Sequence, residues 1–339
     1  MTRNPSTRPS PGRAAGNGAG SRASGPLLWI CLALLYVVWG STYVAIKVAI
    51  RTIPPFFMAS TRFLVAGTIL FLWAFRRGDR TGDRLGWRQW RDAAIVGGAL
   101  LMGGNGGVVW AEGRVPSGIV ALIIATVPLW MALIDRAVSG QRLPRMALGG
   151  LLLGFAGLAL LVGRPGGHVS AVGVAVAMGA ALSWAAGSVY ARRSALPSRA
   201  LVASGMELIC GGALLAIAGL VSGEAGQLHP SEFSSASLAG LVYLIVFGSI
   251  VAFSAYVWLL GHARLSLVST YAYVNPVVAV FLGWPILGEP VTGRTVVASA
   301  VIVIAVALIV AAQTSARRLP AAAEAEPGAP PAPPARQRA

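Results

Sequence analysis

Apolar residues in this chain gather into ten long runs, and polar residues are confined to the short breaks between them. The runs lie at 27–47, 56–75, 93–111, 118–135, 146–163, 171–190, 201–221, 237–259, 267–287 and 295–312. Each is near the length of about 20 residues that crosses a bilayer as a helix. In hydrocarbon, backbone groups must bond within their own segment, so runs this apolar are predicted to be helices. The predicted fold class is an all-α membrane protein with ten transmembrane helices.

The breaks are basic, and their arrangement predicts orientation. With the N-terminus in the cytoplasm, 21 of the 27 Lys and Arg residues fall inside and four, Arg51, Arg114, Arg164 and Arg294, fall outside. Lys47 and Arg62 stand within spans. Such a split follows the positive-inside rule and puts both termini in the cytoplasm.

Composition agrees: 56% of residues are hydrophobic and 11% are charged, against roughly 25% charged in soluble domains. The net charge of +16 suggests a nucleic-acid binder only until it is located, because it sits in tails and loops and forms no phosphate groove. No nucleic-acid partner is expected; the partners are the lipid bilayer and a small-molecule substrate. Residues 1–26 are too polar and long for a signal-peptide start, so the first run is expected to be a retained span. Residues 313–339, rich in Pro and Ala, read as a second disordered cytoplasmic tail. Cys31 and Cys210 fall inside apolar runs with no metal or redox spacing and read as packing residues.

The chain repeats itself. At an offset of 145, Trp39 falls on Trp184, Lys47 on Arg192, Arg62 on Glu207 and Gly67 on Gly212. At an offset of 148, Trp110 falls on Trp258, Val120 on Val268, Pro128 on Pro276 and Gly140 on Gly288. Five spans match five spans, dividing the chain into repeats at 27–163 and 171–312. An odd number of spans per copy makes the second enter the membrane upside down. Inverted five-helix repeats are an architecture of secondary transporters, with the site near the midplane between them.

Charges within spans are costly and mark candidate sites. Arg62 and Glu207 are repeat-equivalent, and inverted symmetry separates them by about 12 Å along the membrane normal at about 1.5 Å per residue. That is long for a direct ion pair, so a water-filled cavity or a substrate between them is the expectation; snorkelling of each toward its nearer face is the alternative. Glu207 reads as the only carboxylate well inside a span and is the candidate for proton coupling. Lys47 and Arg192 read as interface anchors. Four glycines surround Asn105 in the third span, where carbonyls freed from the helix would line a cavity; a glycine packing face is the alternative. Pro128 and Pro276 each remove a backbone bond and are candidate paired hinges. Small polar groups among aromatics suit an organic solute. The candidate substrate-binding residues are Trp39, Thr42, Tyr43, Arg62, Asn105, Trp184, Tyr271 and Asn275.

Several stretches resemble the EamA-type branch of the drug/metabolite transporter superfamily. They are WGSTYVAIK (Trp39 to Lys47), PFFMASTR leading to Arg62, GGNGGVVWAEGRVPSG (Gly103 to Gly118), ATVPLW (Ala125 to Trp130), Asn275-Pro276 and Gly288-Glu289-Pro290. The resemblance covers roughly 28–312 as two EamA-like halves. It implies an inner-membrane carrier or exporter of small metabolites such as amino acids or drugs, without identifying which.

No phosphate-binding GxxxxGK[ST] is present, the three histidines are placed in loops, and no catalytic cluster or zinc motif is visible, so neither an enzyme nor a cofactor or metal is expected. The rival readings are a passive facilitator or channel on the same scaffold, a membrane-embedded enzyme, and a membrane scaffold protein. Oligomeric state is not legible.

Overall fold

The computed structural model describes residues 25–77, 85–112, 114, 120, 123–140, 145–162, 170–287, 293–294, 296–305 and 307–308. The tails, apart from Gly25 and Pro26, the Gly288-Glu289-Pro290 stretch and most of 113–119 lie outside the described residues.

Regular structure among the described residues is helical throughout. A helix falls on each apolar run: α1 (Gly25–Ala49), α2 (Pro55–Arg76), α3 (Trp87–Ala111), α4 (Val127–Ser139), α5 (Arg145–Val162), α6 (Ala171–Ala191), α7 (Ala200–Val221), α8 (Ser235–His262), α9 (Tyr271–Leu287) and α10 (Val296–Ala305). Six of them, α1, α2, α3, α6, α7 and α8, are long and apolar enough to cross a membrane. Large apolar side chains such as Ile30, Val37, Ile69, Val172, Ile217 and Ile304 point outward, as a lipid-facing surface requires.

Local chemistry sets the boundaries. Pro55 occupies the first position of α2, where its missing N–H costs nothing. Ser170 Oγ accepts from Gly173 N (3.2 Å) to start α6, and Ser234 Oγ accepts from Ser237 N (3.1 Å) to start α8. Gly140 ends α4 at φ 69°, a left-handed conformation suited to glycine. His262 is the last residue of α8 and stacks on Trp258, so it is not a loop residue.

The start of α2 is capped from the other half of the chain. Glu224, in the connection after α7, accepts from Phe56 N (2.8 Å) and Phe57 N (3.2 Å). These are N–H groups with no partner inside the helix, at its positive end. Glu224→Ala is expected to cost about 1–2 kcal/mol, read as a lower melting temperature in detergent. Glu232→Ala, at an exposed position of the same connection, should stay within about 0.5 kcal/mol.

Packing joins the halves in swapped pairs. α1 packs on α8 and α9, while α6 packs on α3 and α4; α3 packs on α7, while α8 packs on α2. α2 and α7 share the most extensive interface and run antiparallel, since Phe71 meets Gly205, Leu64 meets Gly212 and Phe57 meets Gly219. A Cβ added to Gly67 would sit 2.8 Å from Ile209 N, and one added to Gly212 would sit 2.9 Å from Leu64 N. Positions 64 and 209, like 67 and 212, are 145 apart, so the contact is reciprocal.

The two prolines expected to form matched kinks are placed differently. Pro128 stands in the first turn of α4, directly after a turn at 125–126, where its missing N–H breaks no helical bond. Pro276 lies inside α9 as its sixth residue.

Candidate solute-binding cavity

Among the described residues three helices carry π-helical turns where they face the other half: Leu35–Trp39 in α1, Gly98–Gly106 in α3 and Leu244–Val251 in α8. Wide turns upset the regular bonding of a helix and are frequent at functional sites. Carbonyls within these stretches accept from side chains of the opposite half. Trp39 Nε1 donates to Gly248 O (3.1 Å) and Ser183 Oγ to Ala99 O (2.9 Å). With its amide nitrogen turned toward α1, Asn275 donates to Leu35 O and Tyr36 O (3.3 Å each) and to Tyr271 O (3.1 Å). Close approach is needed here as well, since a Cβ on Gly40 would fall 2.5 Å from Val278 Cβ.

A cavity of ≈ 90 Å³ lies between the halves. Its wall contains Trp39, Thr42, Tyr43, Arg62 and Asn105 from the first half and Trp184, Tyr271 and Asn275 from the second, so all eight candidate binding residues are brought to one place. Its first-half residues come from the later parts of α1 and α3 and the earlier part of α2, toward the end at which α1 and α3 finish, whereas the second half contributes from the middles of α6 and α8 and the start of α9.

Aromatic rings form the floor. Trp39 lies 5.7 Å from Trp184, 5.1 Å from Tyr256 and 4.9 Å from Tyr271, and Tyr256 lies 5.7 Å from Tyr271. Edge-on packing of this kind is favoured by the ring quadrupoles. Tyr256 is the keystone: its hydroxyl accepts from Trp184 Nε1 (3.1 Å) and lies 2.5 Å from Ser188 Oγ. Sequence reasoning missed Tyr256, although a lone tyrosine in the middle of AFSAYVWLL is a polar group that a span must satisfy. It also missed Ser249, which accepts from Arg62 Nε at 2.7 Å.

Arg62 is 4% exposed and lies partly over the Phe63 ring, 4.8 Å from its centroid. No carboxylate among the described residues forms an ion pair with it. Glu207 does not line the cavity. It is 1% exposed, and its two carboxylate oxygens have no hydrogen-bond partner among the described residues. In the antiparallel register of α2 and α7 it lies about seven residues, roughly 10 Å, along the pair from Arg62. The glycines around Asn105 serve close packing: Gly103 faces Ser183, Gly104 faces Trp184 and Gly107 faces Ala180. Asn105 Oδ1 is buried without a partner among the described residues.

Glu207 is not the only carboxylate buried in a helix of crossing length. α3 begins six residues before its apolar run and takes in Asp92, which is 2% exposed. Asp92 accepts from Arg91 Nη2 (2.7 Å), Tyr190 Oη (3.1 Å) and Ala195 N (2.7 Å), tying the start of α3 to the end of α6. The first turns of α3 are polar, so apolarity alone places its start too late.

An all-helical chain with several spans of crossing length and a partly polar cavity buried between two packed halves has the form of a multi-pass membrane transporter. The model of the EamA-like transporter family matches it at residues 27–163 and again at 171–311, and the chain belongs to that family, within the drug/metabolite transporters. It is similar to the "Uncharacterized inner membrane transporter YedA" of Escherichia coli strain K12, with 38% identity over 262 residues, 76% of this chain and 81% of that one. The "Uncharacterized transporter YvbV" of Bacillus subtilis strain 168 is 25% identical over 252 residues, 74% of this chain and 81% of that one. A protein of known crystal structure shares the fold, with a TM-score of 0.70 at 24% identity, over 87% of this chain and 99% of that one.

Proposed function

We propose that the protein is a secondary carrier that exports small organic metabolites, amino acids or drugs, across the inner membrane by alternating access between two inverted five-helix halves. The observation that carries this reading is the convergence of Trp39, Arg62 and Asn105 from one half with Trp184, Tyr271 and Asn275 from the other on one cavity. The antiparallel course of α2 and α7 and the swapped helix pairs support inversion, because a two-fold axis in the membrane plane produces both. The basic loops support cytoplasmic termini, which turns the cavity toward the outside. The aromatic floor then closes the inner side. Pro276 and the turn before Pro128 serve as hinges, and Glu207 carries the coupling proton.

One observation favours a passive facilitator: Glu207 stands apart from the cavity. The deciding experiment is uptake into inside-out vesicles across a panel of amino acids and cationic drugs, with the proton gradient intact or collapsed. Gradient-dependent accumulation of a solute is the expected result. Equilibration of a solute without accumulation, unchanged when the gradient is collapsed, makes the chain a facilitator.

A further inference from the structure

The described wall of the cavity carries one formal charge. Arg62 is the only lining residue with a charge at neutral pH among the described residues, since no Asp, Glu, Lys or His stands with it there. A guanidinium stays protonated in proteins and binds carboxylates through paired N–H groups. Here Ser249 holds Nε, Nη2 lies against Gly248 on the cavity wall, and no carboxylate among the described residues pairs with the group. A buried cation is costly without a counter-charge, and an occupant of the cavity can bring one. Asn105 adds a buried acceptor, Oδ1, that has no partner among the described residues. The remaining wall is aromatic and aliphatic. The volume of ≈ 90 Å³ favours a compact occupant.

We infer that the cavity takes a compact monocarboxylate: its carboxylate on Arg62, its apolar body on the floor of Trp39, Trp184 and Tyr271, and an amino or hydroxyl donor toward Asn105. This rests on the cavity being the solute site of the carrier, and it narrows that reading by excluding organic cations. A cation would meet Arg62 with no acid to pair with. A phosphate dianion would find one arginine where it needs several donors.

The test is equilibrium binding to the full-length protein in detergent, using radiolabelled leucine and its hydroxy analogue 2-hydroxyisocaproate. Leucinamide and isoamylamine, which keep the apolar body but lack the carboxylate, serve as competitors. At least one of the two acids should bind saturably, and neither amine should displace it. Arg62→Gln should weaken binding at least tenfold, and Arg62→Lys should recover part of the loss. Displacement by leucinamide as strong as by leucine itself overturns the inference, as does absence of saturable binding of either acid up to about 10 mM. The wild-type comparison of acid with amide holds even if Arg62→Gln fails to fold. Counterflow in proteoliposomes separates the two readings. Acid binding without counterflow supports the carboxylate site and overturns the carrier, whereas counterflow of isoamylamine but not of the acids keeps the carrier and overturns the carboxylate site.

Discussion

Glu207→Gln is expected to reduce gradient-driven transport by about 100-fold, or about 2.7 kcal/mol, while solute binding in the cavity stays within about twofold of wild type. A carboxylate at the centre of a membrane helix is unfavourable by about 2.5–3.5 kcal/mol on insertion scales, and such groups are kept where they act. Glu207 is buried, and no hydrogen bond holds either oxygen among the described residues, so it does not brace a neighbour as Asp92 braces Tyr190 and Ala195. Glutamine keeps its volume and loses only the titratable proton. Because Glu207 lies off the cavity wall, the solute should notice the change little. Flux should therefore fall without a matching fall in affinity or melting temperature. Proton-driven accumulation by the Gln variant at the wild-type rate would remove Glu207 from the mechanism.

The second large effect is on stability. Gly67→Val and Gly212→Val should each destabilise the protein by about 2–3 kcal/mol, and by the same amount within about 1 kcal/mol. A Cβ at either position meets a backbone nitrogen of the partner helix, at 2.8 Å for Gly67 and 2.9 Å for Gly212, and backbone in a packed helix pair cannot step aside as a side-chain tip can. The equality follows from the reciprocal contact of 67 with 209 and 212 with 64. Gly149→Ala is the control, because a Cβ there meets nothing within 4 Å. Thermal unfolding in detergent, with size-exclusion profiles, reads all three. A loss at only one of the paired positions would mean that the two-fold relation does not hold at the α2–α7 contact.

Much of the site was legible because its members are exceptions to their surroundings. Arg62 stands out in an apolar run, Asn105 among glycines, and Trp39 and Trp184 fall on each other at the repeat offset. Tyr256 and Ser249 were not legible, since a hydroxyl in a span acquires meaning only from what it touches: Trp184 and Ser188 for one, Arg62 for the other. Asp92 was missed because the polar first turns of α3 place it outside the apolar run that marks the span. The separation of Arg62 from Glu207 could be approached by counting residues, about 12 Å from the sequence and roughly 10 Å from the helix register.

By itself the sequence determined that the chain is helical, that it lives in a membrane and that it is built twice. Hydrocarbon permits few backbone solutions, and a repeated pattern of tryptophan, proline and glycine survives in the order of the residues. Tertiary structure alone decided that Arg62 faces the cavity while its repeat mate Glu207 lies off its wall. It also decided where the helices open into π-helical turns, and that Tyr256 closes the floor. Those outcomes depend on which face each helix turns to its neighbours, and that is set by packing between residues as far apart in the chain as Trp39 and Gly248.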